Sequence, residues 1–127
     1  KPGLRSILNS YDVMGGPNTF VDAIAPSRFV NNNPKAYAAF VAALEESIAF
    51  INKNRREAAQ IYIEASKDKS PIEDIVAMLN DPQIVFTMTP QKTMVYANFM
   101  HKDGMIKVRP ESWKDLFYPD AHHLAGS

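Results

Sequence analysis

The sequence contains no cysteine, and this absence excludes disulfides, thiolate metal ligands and a cysteine nucleophile. Glycine is scarce, with 5 residues among 127, and tryptophan occurs once. No apolar run approaches the ~18 residues that a membrane-spanning helix needs. Neither sign of charge is in excess, because 14 basic residues balance 14 acidic ones and no segment concentrates lysine and arginine. This balance predicts no nucleic-acid partner and no attraction to an anionic membrane surface.

The length and a hydrophobic content of 46% are typical of one globular domain. The sequence begins Lys1-Pro2-Gly3 rather than with a methionine or a signal peptide. Such a start predicts a fragment of a longer protein whose signal peptide lies upstream.

The first 30 residues differ from the rest because they are rich in glycine, proline, asparagine and β-branched residues. Short apolar runs predict strands at Leu4–Leu8 and Thr19–Ala25, and Pro26 ends the second strand. Between them, Gly15-Gly16-Pro17-Asn18 interrupts regular structure and permits unusual backbone angles. Strands with so few polar interruptions are typical of a sheet that is covered on both faces.

From Asn33 onward the spacing of apolar residues predicts helices. Asn33 followed by Pro34 is a helix start signal, and six apolar residues then form one stripe: Tyr37, Phe40, Val41, Leu44, Ile48 and Ile51. Further helices are predicted from Asn54 with Glu57 as capping-box partner, from Ser70-Pro71 to Asn80, from Thr89-Pro90 to Gly104, and from Pro110 to Phe117. Helical spacing also places Met94, Phe99 and Met100 in the core. Trp113, with Leu116 and Phe117 beside it, is expected there too.

No group of residues has the spacing of a catalytic or metal site. His122 and His123 are adjacent and so point to opposite sides of an extended segment, and His101 is the only other histidine. No histidine spacing is suited to a metal, and no serine lies in a Gly-x-Ser-x-Gly setting. The helix dipole alone accounts for the acidic pair Glu73-Asp74. We therefore expect no catalytic residue, no metal ligand and no cofactor.

The segment between the two predicted strands is the candidate ligand site. Glycines allow backbone N–H groups to approach a ligand, and short polar side chains then orient it. From the residues alone, a ligand site and a plain turn with satisfied polar caps both remain open. The candidate ligand-binding residues are Ser10, Tyr11, Asp12, Gly15, Gly16, Asn18 and Thr19.

Taken together, the segments of this chain resemble the substrate-binding proteins of nitrate/sulfonate/taurine-type ABC importers. No single motif is diagnostic, whereas the order and spacing of the segments over nearly the whole chain are fairly specific. The segments are Ser10-Tyr11-Asp12-Val13-Met14-Gly15-Gly16-Pro17-Asn18-Thr19-Phe20, Ser27-Arg28-Phe29, Asn33-Pro34, Ala42-Ala43-Leu44-Glu45-Glu46, Asn54-Arg55-Arg56-Glu57-Ala58-Ala59, Phe86-Thr87-Met88-Thr89-Pro90, Phe99-Met100, Gly104-Met105-Ile106 and Pro110-Glu111-Ser112-Trp113-Lys114-Asp115-Leu116-Phe117.

The resemblance implies the C-terminal portion of an α/β periplasmic-binding-protein fold of type II, in which two lobes close over a solute. Residues 1–30 would then hold late strands of the second lobe and the hinge crossover, and residues 31–127 the helical return to the first lobe. The implied protein is not an enzyme. It binds a small polar or anionic organic solute and delivers it to an ABC permease. The implied location is the periplasm, or the outer surface of a Gram-positive bacterium through a lipid anchor.

Two alternatives remain open. One is an enzyme resembling the pyrimidine-precursor synthases of thiamin biosynthesis, which share the scaffold and use histidine, although this chain lacks the cysteine of their motif. The other is a stand-alone helical protein-interaction module, with the helices around one core. A truncated two-lobe protein would also expose strand edges, which predicts a dimer or a domain-swapped assembly. The charge of Asp12 either repels an anionic solute or pairs with a solute amine.

Overall fold

The structure is a computed structural model, and it describes Gly3 and residues 5–127. Helices are the only regular elements in this part of the chain. They are α1 (Ser10–Val13), α2 (Ser27–Asn32), α3 (Pro34–Lys53), α4 (Arg55–Ser66), α5 (Ile72–Leu79) and α6 (Thr93–Lys102), followed by two short 3₁₀-helices at Trp113–Leu116 and Pro119–Ala121.

The predicted α/β fold is wrong, because the described residues contain no strand and no sheet. Leu4 of the first predicted strand lies outside the described residues, and neither the rest of that segment nor Thr19–Ala25 forms a strand. A strand is stable only when a neighbouring strand pairs with it and its apolar face is buried. Here the large apolar side chains of both segments are between 79% and 93% exposed: Ile7, Leu8, Phe20, Val21 and Ile24. The composition of these segments is typical of strands, but no strand lies beside them among the described residues.

The chain forms two compact units. The first unit combines the residues up to Asp22 with Met88–Ser127, and the second consists of Ala23–Thr87. The predicted division into residues 1–30 and 31–127 stays a prediction.

The second unit is built around the packing of α4 on α5. Ala59 is fully buried at 0% exposure, and Ile75 is also buried. Ala59 and Ile75 are the buried residues of their helices, and a small residue such as alanine lets a helix pack closely on its neighbours. The guanidinium group of Arg55 donates to the carbonyl of Leu79 and so satisfies an otherwise unpaired group at the end of α5.

An ion pair joins the same two helices at the surface. Arg56 and Glu73 form a two-pronged contact with N–O distances of 2.7 and 3.2 Å. The hydrogen bond from Arg56 lowers the pKa of the Glu73 carboxyl, and the positive charge of Arg56 adds to this effect. Glu73 also lies in the first turn of α5, where the helix dipole favours an acid. Because both side chains are exposed, the pair contributes little to stability.

Several predicted helix boundaries are confirmed. Pro34 is the first residue of α3, α5 ends just before Asn80, and Gly104 has a φ of 76° shortly after α6 ends. The predicted capping box of Asn54 and Glu57 is wrong, because the Asn54 side chain donates backwards to the carbonyl of Phe50 at 3.3 Å. Asn33 behaves in the same way and donates to the carbonyl of Phe29 at 3.0 Å.

The end of α4 supports a stability prediction. Lys67 has a left-handed backbone, with a φ of 55°, at the C-cap position of this helix. A side chain there costs about 1 kcal/mol or more relative to glycine, and the flexibility of glycine when unfolded offsets part of the gain. We expect Lys67→Gly to raise the free energy of unfolding by about 0.5 kcal/mol, which appears as a higher urea midpoint. Lys69→Gly, two residues on and not left-handed, is the matched control and should not raise it. A lower midpoint for Lys67→Gly would contradict this explanation.

The core of the first unit lies around Trp113. This side chain is 9% exposed, which confirms its predicted core position. Its ring makes edge contacts with Phe117 at a centroid distance of 5.9 Å and with His122 at 6.0 Å. Ser112 accepts a hydrogen bond from the Lys114 amide and caps the short 3₁₀-helix that carries the tryptophan.

The face of α6 that is buried differs from the predicted one. Thr93 and Ala97, one turn apart, are buried. Phe99 is 61% exposed, and Met100 is also exposed, so the prediction that these two residues lie in the core is wrong. Met94 is half-buried. The large apolar residues give the stronger periodic signal, but the buried side chains of this helix are small ones.

Candidate functional site

The candidate site lies in the first unit and consists of two segments. We call Gly15–Thr19 the glycine loop and Pro90–Thr93 the anchor turn, which precedes and begins α6. Gly15 and Gly16 have φ angles of 69° and 121°. These left-handed backbones favour glycine and explain why two glycines occur at this point.

Two hydrogen bonds join the glycine loop to the anchor turn through one pair of residues. The amide of Thr19 donates to the carbonyl of Gln91 at 2.9 Å. In return, the amide of Gln91 donates to the hydroxyl oxygen of Thr19 at 2.7 Å. These residues are 72 positions apart in the sequence, so the contact is a tertiary one that fixes where the loop lies.

Lys92 brings a positive charge to the same place. Its ammonium group donates to the carbonyl of Met14 at 2.6 Å and also to that of Gly15. An added Cβ at Gly15 or Gly16 would lie 3.4 or 3.7 Å from the Lys92 Nζ atom. An ammonium group has three N–H donors, and the two carbonyls take two of them. One donor of a half-buried cation therefore remains beside the glycine loop.

Asn18 is fixed by a second residue of α6. The hydroxyl of Tyr96 donates to the side-chain oxygen of Asn18 at 2.7 Å, and the Asn18 amide group donates to the carbonyl of Gly16 at 3.2 Å. The amide side chain is therefore held in one orientation. The oxygen of Tyr96 still has acceptor capacity.

The other predicted site residues lie in and around α1. The side chain of Asn9 accepts from the Tyr11 amide and caps this short helix. The side chains of Ser10 and Asp12 are exposed, and Tyr11 is half-buried. This helix also positions the loop. The Gly16 amide donates to the Tyr11 carbonyl at 2.7 Å, and the Gly15 amide donates to the Asp12 carbonyl at 3.2 Å. Among the seven candidates, contacts to the anchor turn and α6 involve Gly15, Asn18 and Thr19.

Sequence reasoning missed three residues of this arrangement: Gln91, Lys92 and Tyr96. The predicted helix beginning at Thr89-Pro90 includes Lys92, whereas this residue has a left-handed backbone and α6 begins after it. The pairing of these residues with a loop more than 70 positions away leaves no mark in a single sequence.

The histidines lie elsewhere in the first unit. The Nε2 atom of His122 is 2.9 Å from each of two carbonyl oxygens, those of Lys114 and Phe117. Because carbonyls only accept, this nitrogen carries the proton. The Nδ1 atom of His123 similarly lies 2.7 Å from the carbonyl of Asp120. Both rings bind backbone, and within the described residues no three His, Asp or Glu side chains are grouped as metal ligands.

The site thus combines one cation, two hydroxyls, one amide side chain and the two glycines of the loop. Such groups can orient a polar or anionic molecule by hydrogen bonds and charge.

Compared with known proteins, the chain matches no family model, no curated protein and no solved structure. In the part of the chain that the structure describes, no helix has the length and apolar character needed to cross a bilayer.

Proposed function

We propose that this chain belongs to a substrate-binding protein of a nitrate/sulfonate/taurine-type ABC importer and that it binds a small polar or anionic organic solute for delivery to the permease. The observation that carries the proposal is the attachment of the glycine loop to the anchor turn, with the Lys92 ammonium group between them. The proposed location is the periplasm or the outer face of a Gram-positive membrane.

The chemistry of the loop supports a bound solute rather than a reacting one. Lys92 with one remaining donor and the Thr19 hydroxyl supply charge and donors, whereas the Tyr96 oxygen, whose proton is given to Asn18, supplies an acceptor. A solute carrying sulfonate, carboxylate or nitrate oxygens complements the two donors. Delivery would follow closure around the solute, since a permease distinguishes loaded from empty protein only if the two differ in shape.

Titration calorimetry with taurine, nitrate, a short alkanesulfonate and a thiamin-precursor pyrimidine tests the proposal. We expect one of these probes to bind, and we expect Asn18→Ala and Thr19→Ala each to weaken that binding about three- to tenfold, the effect of losing one hydrogen bond. Asn98→Ala is the matched control. Its side chain is exposed on α6 and accepts from Arg109 rather than from the glycine loop. Heat from none of the four probes, or unchanged affinity in both loop variants, would contradict the proposal.

Two further variants decide the role of α1. Ser10→Ala removes an exposed hydroxyl, and Asp12→Asn removes an exposed charge without changing size. Weaker binding by Asp12→Asn would mean that the carboxylate pairs with a solute amine, as in taurine. Tighter binding would mean that it repels an anion.

The absence of strands among the described residues favours a second candidate, a stand-alone helical interaction module. In the second unit, a groove of about 450 Å³ is lined mainly by apolar side chains of α3 and α4: Glu46, Ser47, Phe50, Ile51, Ala58, Ile61 and Tyr62. Such grooves can bind an amphipathic helix. A folded monomer in sedimentation velocity, together with no heat from any of the four probes, would replace the first candidate with this one.

A further inference from the structure

The segment Gly126-Ser127 binds residues of the anchor turn other than Gln91, the residue that Thr19 binds. The carbonyl oxygen of Ser127 accepts from the Thr93 amide at 2.7 Å and from the Thr93 hydroxyl at 2.8 Å. The Ser127 hydroxyl oxygen accepts from the Lys92 amide at 3.0 Å, and the Ser127 amide donates to the carbonyl of Pro90 at 3.1 Å. Four hydrogen bonds therefore tie one serine to three residues of a four-residue turn.

Gly126 fixes this segment against the core of the unit. A Cβ atom added there would lie 2.7 to 2.8 Å from three ring atoms of Trp113. No Cβ fits at that distance without a shift, so glycine is required by close approach. Its backbone is not in the left-handed region. The position of Ser127 thus depends on how Gly126 packs on the indole.

Two segments therefore bind the anchor turn. Ser127 binds Pro90, Lys92 and Thr93, while Thr19 binds Gln91, the residue between them. The backbone of Lys92 is left-handed, with a φ of 54°, which is unfavourable for a residue with a side chain. Such a conformation persists only where surrounding contacts impose it. Here the bonds from Ser127 to Pro90 and Lys92 impose the left-handed conformation. They thereby direct the Lys92 side chain to the glycine loop.

We propose that Gly126 and Ser127 form a latch that controls the mobility of the glycine loop through the anchor turn. When the latch is bound, Ser127 fixes the anchor turn, so opening of the glycine loop must break its contacts with a rigid turn. When the latch is released, the turn relaxes, and the Thr19–Gln91 and Lys92–Gly15 contacts open at lower cost. Control of solute access would follow, and that consequence alone rests on the proposed function.

Amide hydrogen exchange of the full chain by NMR tests the latch without any solute. Gly126→Val forces the segment away from Trp113. We expect the Thr93 amide, which the latch holds, to exchange at least about fivefold faster, the factor for one lost hydrogen bond. The Thr19 amide, which the latch does not touch, should accelerate by a similar factor. Ala125→Val is the matched control, with the same side chain at an exposed neighbouring position, and should change neither amide.

A second variant separates the latch from a general loss of stability. Thr93→Val combined with Ser127→Ala removes two of the four latch bonds and leaves the Trp113 contact with Gly126 intact. The amide of Asp103, bound to Phe99 at the far end of α6, reports on the unit as a whole. Faster exchange at Thr19 with unchanged exchange at Asp103 in this double variant supports the latch. Acceleration confined to Thr93, equal acceleration at Asp103, or no acceleration at Thr19 overturns it. Failure of the solute probes would leave these exchange results unaffected.

Discussion

Trp113→Ala is expected to destabilise the first unit by about 3 to 5 kcal/mol, the usual range for truncating a buried aromatic side chain. The indole is nearly buried, it contacts the rings of Phe117 and His122 at their edges, and Gly126 lies against it. Alanine would leave a cavity that those neighbours line. The Lys114 ammonium group, 5.8 Å from the ring centroid, would also lose a cation–π contact. Urea unfolding followed by circular dichroism measures the loss.

Leu116→Ala is the control for this prediction. Leu116 belongs to the same 3₁₀-helix, but it is about half exposed, so truncation should cost less than about 1 kcal/mol. Trp113→Phe keeps an aromatic ring in the core and should fall between the two. Equal losses for Trp113→Ala and Leu116→Ala would show that the tryptophan does not organise this unit.

Lys92→Met is expected to weaken solute binding by at least about tenfold, since hydrogen bonds to charged groups contribute more than neutral ones. Methionine has similar length and the same Cβ, so the left-handed backbone is equally unfavourable before and after the change. What is lost is the ammonium group, together with its bonds to the Met14 and Gly15 carbonyls. Calorimetry with whichever of the four probes binds the unmodified chain gives the affinity ratio.

Two comparisons separate the charge of Lys92 from its structural role. Lys107→Met removes an exposed lysine of the same unit and should leave affinity unchanged. Lys92→Arg keeps the charge, so partial recovery of affinity would show that the cation itself attracts the solute. Binding by Lys92→Met as tight as that of the unmodified chain would remove this lysine from the site.

The sequence predicted most of the helices because their signals are local. Pro34 at the start of α3, Asn80 after α5 and Gly104 after α6 act on the backbone within one turn of themselves. Trp113 was predicted in the core from its size and neighbours, and the structure confirms it. Capping was predicted less well, because an asparagine between two helices can bond to either one. Asn33 and Asn54 both bond to the preceding helix.

The strands failed for the opposite reason. Phe20, Val21 and Ile24 have the composition of a strand, but a strand depends on a second segment that local composition does not reveal. The candidate site shows the same division. Gly15, Gly16, Asn18 and Thr19 stand out locally as a polar, glycine-containing turn. Their partners Gln91 and Lys92 are set by tertiary contacts over more than 70 residues.

A single non-helical residue, Asn54, separates α3 from α4, and Asn33 separates α2 from α3 in the same way. Such a one-residue linker, or elbow, leaves little freedom in the angle between the two helices. Inserting one residue there would change the angle between the two helices and so disturb the packing of α4 on α3. Substitutions at these elbows change one linker side chain, whereas insertions change how the two helices meet. Related chains should therefore differ in which residue separates two helices much more readily than in how many residues separate them.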